Sequence, residues 1–293
     1  MIIDLRANEL RSVRDLTNQK KKWIKILLIV LAAVCFLYLF LIAPRMFNKA
    51  DLSPFKGVVF AHRGHFDEKT IPENSLSSFE AAIEAGYGIE LDIQLSKDQV
   101  PMVFHDAELE RLCGVEGNVW DYTAQELQEM YLMGTEQTIP TMEEALRVID
   151  GRTPLLVEYK LDLVDTIVCE KTQALLEEYE GDYAIQAFHP LVLLWYRQHA
   201  PEVARGQLSQ EFWNDEKYDG KPLYLLLTYM VENVATRPDF ISYKFSENSN
   251  LSYQLCKLMG AGTAGWTVKS RQDYDAVKNT LDMVIADTTA TFG

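Results

Sequence analysis

Four short stretches gather side chains able to move protons, hold a cation and grip an anion. In "VVFAHRGH" (58–65), the apolar run Val58, Val59 and Phe60 reads as a buried strand, and it ends in His62, Arg63, Gly64 and His65. In "IELDIQ", Glu90 and Asp92 stand two apart. Strand side chains alternate, so these two share a face, and paired carboxylates repel unless a cation lies between them or one is protonated. "VFHD" supplies His105, and "LLVEYK" places Glu158 and Lys160 two apart. Carboxylate oxygens suit a hard divalent cation, Ca²⁺ or Mg²⁺. Arg63 and Lys160 suit an anionic oxygen cluster such as phosphate. Two histidines serve as general base and general acid on either side of a displaced group. Together these groups describe metal-assisted hydrolysis of a phosphate ester. His65, His189 and His199 lack such partners in the sequence and read as structural.

Those residues must be delivered by strand ends. Apolar runs of strand length fall at 58–61, 88–95, 101–105, 154–159, 183–188, 203–208, 240–245, 263–268 and 283–286. Helical patterns separate most of them. Leu76, Phe79 and Ile83 line one face of 75–85. Thr141 with Glu144 forms a capping box, Ser270 with Asp273 caps a later helix, and 165–179 and 190–199 are amphipathic. Repeated strand–helix units predict parallel strands joined by crossover helices, an α/β fold. Nine strands exceed an eight-stranded barrel by one. Only "SKDQV" joins 88–95 to 101–105, too short for a parallel crossover. These two therefore form a hairpin arm, and the expected fold is a distorted (β/α)8 TIM-type barrel. Residues 107–140 read as a helical or irregular excursion at its rim. Chemistry in such barrels sits where strands end.

The chain has 293 residues and a net charge of −15. Residues 1–49 carry nine Lys/Arg against three Asp/Glu, so the remainder is strongly acidic. Such a domain repels a nucleic-acid backbone, and nucleic-acid binding is excluded. Residues 26–44 contain no charge, long enough to cross a bilayer core of about 30 Å. Arg6, Arg11, Arg14, Lys20, Lys21, Lys22 and Lys25 precede that run, and fewer basic residues follow it. The positive-inside rule predicts a cytoplasmic segment 1–25, a single-pass signal anchor 26–44 and a tether 45–56. The barrel, 57–293, then lies outside the cell membrane's cytoplasmic face. Cys35, Cys113, Cys169 and Cys256 show neither a CxxC pair nor a disulfide framework.

At these motifs the chain resembles the glycerophosphodiester phosphodiesterase family, in its membrane-anchored bacterial type. It has His62-Arg63-Gly64, Pro72-Glu73-Asn74, Glu90-Leu91-Asp92, Val103-Phe104-His105-Asp106 and Glu158-Tyr159-Lys160 in the family's order, with "IPTMEEAL" at 139–146 and "GWTV" at 265–268. The resemblance runs from about residue 57 to the C-terminus. It implies a calcium- or magnesium-dependent enzyme releasing glycerol 3-phosphate and an alcohol, with a small-molecule or lipid-derived phosphodiester as substrate. It further implies His62 and His105 as the acid/base pair and Glu90, Asp92 and Glu158 as metal ligands. Arg63 and Lys160 would bind the phosphate, Trp266 would line the substrate pocket, and Glu73 and Asn74 would brace the site. Ala187 and Ala286 depart from the polar residues frequent in relatives, while Asp287 is kept. The first departure suggests a polar contact missing near the metal. Cleavage of lysophospholipid or sphingomyelin in phospholipase D fashion is the alternative activity, with Met130, Tyr131, Leu132 and Met133 as a candidate apolar groove; an inactive barrel serving as a binding module is a third reading.

Overall fold

The computed structural model describes residues 2–67, 69–161, 165–214 and 222–292. Residues 1–41 and 42–293 form separate compact units. A continuous helix starts at Ile2 and runs to Ile42; its Thr17–Ile42 part contains an 18-residue window of mean hydropathy 2.8 with none of that window buried, while Ile42 at its end is buried. It is long and apolar enough to cross a membrane, and it ends two residues before the apolar run of the sequence does.

In the second unit, nine strands follow: β1 Val58–His62, β2 Gly88–Leu95, β3 Pro101–Val103, β4 Leu155–Tyr159, β5 Tyr183–Ala187, β6 Ala204–Ser209, β7 Phe240–Lys244, β8 Gly262–Val268 and β9 Met283–Ala286. Eight are parallel neighbours in the order β1-β9-β8-β7-β6-β5-β4-β2, and β1 pairs back onto β2 to close the ring. The extra strand is the hairpin arm: β3 runs antiparallel to β2, with Val103 opposite Ile93.

Alternation along each strand divides the side chains. One set, including Ile89, Leu91, Ile93, Leu155, Val157 and Ile185, packs outward against the surrounding helices. The other set faces inward. At the N-terminal end of the barrel it is apolar: Phe60, Leu156, Ala184, Ala204, Phe240, Ala264, Met283 and Ile285 fill the interior, with Phe55 beneath them. Gly206 is required here, because a Cβ on it would meet the Phe240 ring at 2.0 Å. Residues 42–56 are part of this unit: the Arg45 amide donates to the Pro238 carbonyl and the Ala50 amide to Asp239.

The helices begin where capping chemistry predicts. Ser75, Thr141 and Ser270 each accept from a backbone amide three residues on. The 107–140 excursion holds short helices, Glu110–Cys113 and Ala124–Gln128, around a core of its own that includes Met102, Phe104, Leu112, Leu127 and Leu132. Met130 and Met133 pack against that core, so only Tyr131 of the apolar run Met130–Met133 is freely exposed. The run is largely excursion packing rather than a groove.

Candidate active site

Strand β2 forms the spine of the site. Its inward residues Glu90, Asp92 and Gln94 are all buried. Parallel register sets His62 of β1 opposite Glu90, and Glu158 of β4 opposite Asp92. Adjacent strands lie about 4.8 Å apart, so register alone forces these groups together. One oxygen from each of Glu90, Asp92 and Glu158 lies within 4.8 Å of the others.

The arm brings the second histidine to the same level. As it folds back, the Phe104 amide donates to the Asp92 carbonyl at 3.0 Å. Gln94 Nε2 donates to the carbonyls of Phe104 and Asp106 at 2.9 and 2.6 Å, holding the backbone on both sides of His105. Each imidazole is engaged by a carboxylate through Nδ1: His62 by Asp287 at 2.7 Å, His105 by Asp106 at 2.6 Å. In both rings the nitrogen outside this contact is Nε2.

The HRG stretch is a left-handed turn, with φ of 59° at Arg63 and 83° at Gly64. A Cβ at Gly64 would meet Ser78 Oγ at 2.3 Å, so only glycine fits. The turn aims the Arg63 amide at Glu90 Oε2 (3.0 Å), and Arg63 Nη1 donates to Glu73 at 2.8 Å. Lys160 pairs with Glu158 and, at 2.9 Å, with Asp92. Asn74 Nδ2 donates to Asp92 Oδ2 at 2.8 Å, and Asn74 Oδ1 accepts from the Asp92 amide, so Glu73 and Asn74 brace the site.

Burial together with the charges of Asp92 and Glu158 pushes the Glu90 carboxyl well above the usual carboxylate range. Asp92 goes the other way: burial opposes its charge, but Lys160, His105, Arg63 and His62 outweigh that and hold it ionised. Burial lowers His62 despite its bond to Asp287, so the neutral imidazole is favoured. Three buried carboxylates, one of them resisting ionisation, are the donor set of a hard divalent cation, which would take the place of the Glu90 proton.

The model of the glycerophosphoryl diester phosphodiesterase family matches residues 62–288. A glycerophosphodiester phosphodiesterase of Caldanaerobacter subterraneus subsp. tengcongensis is 30% identical over 253 residues, covering 79% of this chain and 94% of that protein. A lysophospholipase D of Rattus norvegicus is 28% identical over 160 residues, half of this chain and 49% of that one. Among solved structures, a phosphodiesterase of Oleispira antarctica in complex with the product sn-glycerol-3-phosphate superposes with a TM-score of 0.65 at 23% identity, covering 78% of this chain and 92% of that one. The chain belongs to the glycerophosphoryl diester phosphodiesterase family. Like its named relatives in that family, it is a phosphoric diester hydrolase on a closed eight-stranded barrel.

In this family member, seven of the eight site residues expected from sequence stand in one cluster. Trp266, on the inward side of β8 with Ala264, donates its indole Nε1 to the Ser242 carbonyl at 3.1 Å, and its ring packs edge-on against Phe188. Phe188 in turn walls an apolar cleft of about 840 Å³ that opens beside His105, Glu158 and Lys160 and is completed by Leu191, Phe212, Tyr224 and Leu227. A second cleft of about 380 Å³ opens beside His62 and is polar, with Arg63, Arg111, Lys269 and Asp287. Ala187 faces the outer helices rather than the acids, so no polar contact is lost there. The β5 residue beside the acids is Gln186, whose Nε2 reaches Glu90 at 3.5 Å. Sequence reading missed Gln94, Gln186 and Arg111; the strand period was the signal for the first two. His65 bonds Thr288, His189 caps the helix Pro190–His199 and also lines the cleft beside His105, and His199 bonds the Trp195 carbonyl.

Proposed function

We propose that the enzyme hydrolyses glycerophosphodiesters to glycerol 3-phosphate and an alcohol at this rim, with His62 and His105 as the general acid/base pair. The observation that carries the reading is the convergence of Glu90, Asp92 and Glu158 within 4.8 Å of one another, next to two histidines each oriented by its own carboxylate. The three acids would hold one Ca²⁺ or Mg²⁺, which supplies Lewis-acid polarisation of the phosphoryl oxygens. Arg63 and Lys160 add fixed positive charge where anionic oxygens gather. Asp287 and Asp106 keep each imidazole in the tautomer whose Nε2 takes or gives the proton, the role an orienting carboxylate plays in hydrolytic triads. The neutral state favoured for His62 suits it to accept a proton. Assaying the purified chain on glycerophosphocholine, with divalent cation and with chelator, tests this. Turnover insensitive to chelator, or retained in His62→Ala, overturns it.

A second reading has its own observation. The cleft on the His105 side is walled by Phe188, Leu191, Phe212, Tyr224 and Leu227, which suits an alcohol arm carrying an acyl chain. Lysophosphatidylcholine turned over faster than glycerophosphocholine would favour lysophospholipase D activity. The helix Thr17–Ile42, with basic residues before it, supports a single-pass anchor in the cell membrane, its N-terminus cytoplasmic and the barrel outside. Protease access to the barrel in intact cells tests that orientation.

A further inference from the structure

The excursion contributes one residue to the reaction centre that no motif announced. We propose that Arg111 is a positioning residue for catalysis: a single guanidinium that locks the carboxylate orienting His105 and the carboxylate holding Arg63 into one rigid frame. The inference rests on the acid/base reading above. Arg111 Nε donates to Asp106 Oδ2 at 2.5 Å, while Asp106 Oδ1 holds His105 Nδ1 at 2.6 Å. The other edge of the same guanidinium forks onto Glu73, with Nη2 at 2.7 Å from Oε1 and Nη1 at 3.1 Å from Oε2. That Oε1 also accepts from Arg63 Nη1 at 2.8 Å. The chain of contacts therefore runs His105–Asp106–Arg111–Glu73–Arg63. It joins the second histidine, which arrives on the arm, to the phosphate clamp on the turn after β1.

Three features separate this from an ordinary surface pair. Arg111 sits between the two clefts and lines both. It is carried on the short helix Glu110–Cys113, whose Leu112 is buried in the excursion's own core, so the packing of 107–140 fixes where the guanidinium stands. It also serves two carboxylates at once. Its planar fork grips Glu73 through two N–H groups while Nε reaches Asp106 on the other edge, a three-contact geometry that a single ammonium point does not reproduce, so Lys is not an equivalent. The carboxylates respond accordingly. Burial opposes the charge on both, but hydrogen bonds from Arg111 and its partners hold Glu73 and Asp106 below the usual carboxylate range.

The test uses the full chain on glycerophosphocholine with added Mg²⁺ or Ca²⁺. Arg111→Ala is expected to lower kcat about 100-fold with KM changed less than about threefold, because orientation rather than binding is lost. Arg111→Lys should recover little of that loss, and added methylguanidinium should restore part of the activity of Arg111→Ala. In an Asp106→Asn background, Arg111→Ala should cost clearly less than it does alone, since the part of its effect that runs through His105 is already lost and only the part through Glu73 and Arg63 remains. Additive losses, a lysine variant at wild-type kcat, or a raised KM at unchanged kcat would overturn the proposal. Activity retained in His105→Ala would instead sink the acid/base reading on which it stands, and a thermal melt of each variant separates misfolding from both.

Discussion

Two residues along β1 separate Phe60, in the apolar filling of the barrel, from His62, in the reaction centre. The same step separates Leu156 from Glu158 on β4, and Ala184 from Gln186 on β5. Below that step, each inward side chain leaves water for a hydrocarbon neighbourhood, which stabilises the fold by about 25 cal/mol per Å² of apolar surface. Above it, burial works against the charges it encloses: Glu90 resists ionising, and His62 resists protonation. One half of the interior holds the barrel closed. The other half, on the function proposed above, is completed by a cation and an anionic substrate.

The sharpest way to test that division is to damage each half alone. Glu158→Gln or His62→Ala should cut turnover by about 10³-fold or more while leaving the melting temperature within a few degrees of the parent. Phe240→Ala, below the step, should do the reverse: about 3–5 kcal/mol of stability lost in denaturant titration, with kcat per folded molecule unchanged. A smaller effect concerns the upper half's incompleteness. Mg²⁺ or Ca²⁺ at about 100 times its Kd should stabilise the protein by about 2.7 kcal/mol in a thermal melt. That gain should vanish in Glu90→Gln/Asp92→Asn.

The smallest prediction probes an acid that breaks the pattern. Glu232, on the stretch leading into β7, has both carboxyl oxygens without a hydrogen-bond partner, and burial pushes it up to about 8. A carboxyl raised above its unfolded value of 4.5 favours the folded state while protonated. Its contribution is therefore most favourable below that value and is lost as pH rises towards about 8. Glu232→Gln should raise stability by about 1–2 kcal/mol at pH 8.5 and have almost no effect at pH 4.5. No gain at pH 8.5 would mean that the carboxyl is not enclosed.

The period-two alternation made much of this arrangement readable in advance. Glu90 with Asp92 on one strand face, and His62 at a strand end, needed only the barrel to meet, and the hairpin followed from the shortness of "SKDQV". Several strand ends differ from expectation by one or two residues; β3 stops at Val103, although the Phe104 amide still bonds the Asp92 carbonyl of β2 before the chain leaves the sheet. What could not be read lies off the strands or depends on which way a strand faces. Ala187 looked like a lost ligand neighbour until the register showed Gln186 facing the acids. Arg111 meets Glu73 only because a small separate core folds 107–140 over the rim, and no local periodicity encodes that contact.

His105 is carried by a spur that hangs from β2, whereas His62, Glu90, Asp92 and Glu158 belong to a closed ring. No member of a ring can shift without straining its two neighbours, so the acid-cluster side of the centre is stiff by construction. The spur has one neighbouring strand, and the excursion grows directly from its end. Insertions and deletions there can reshape the His105 side of the centre while the ring stays as it is, which makes this loop the natural handle for altering substrate choice.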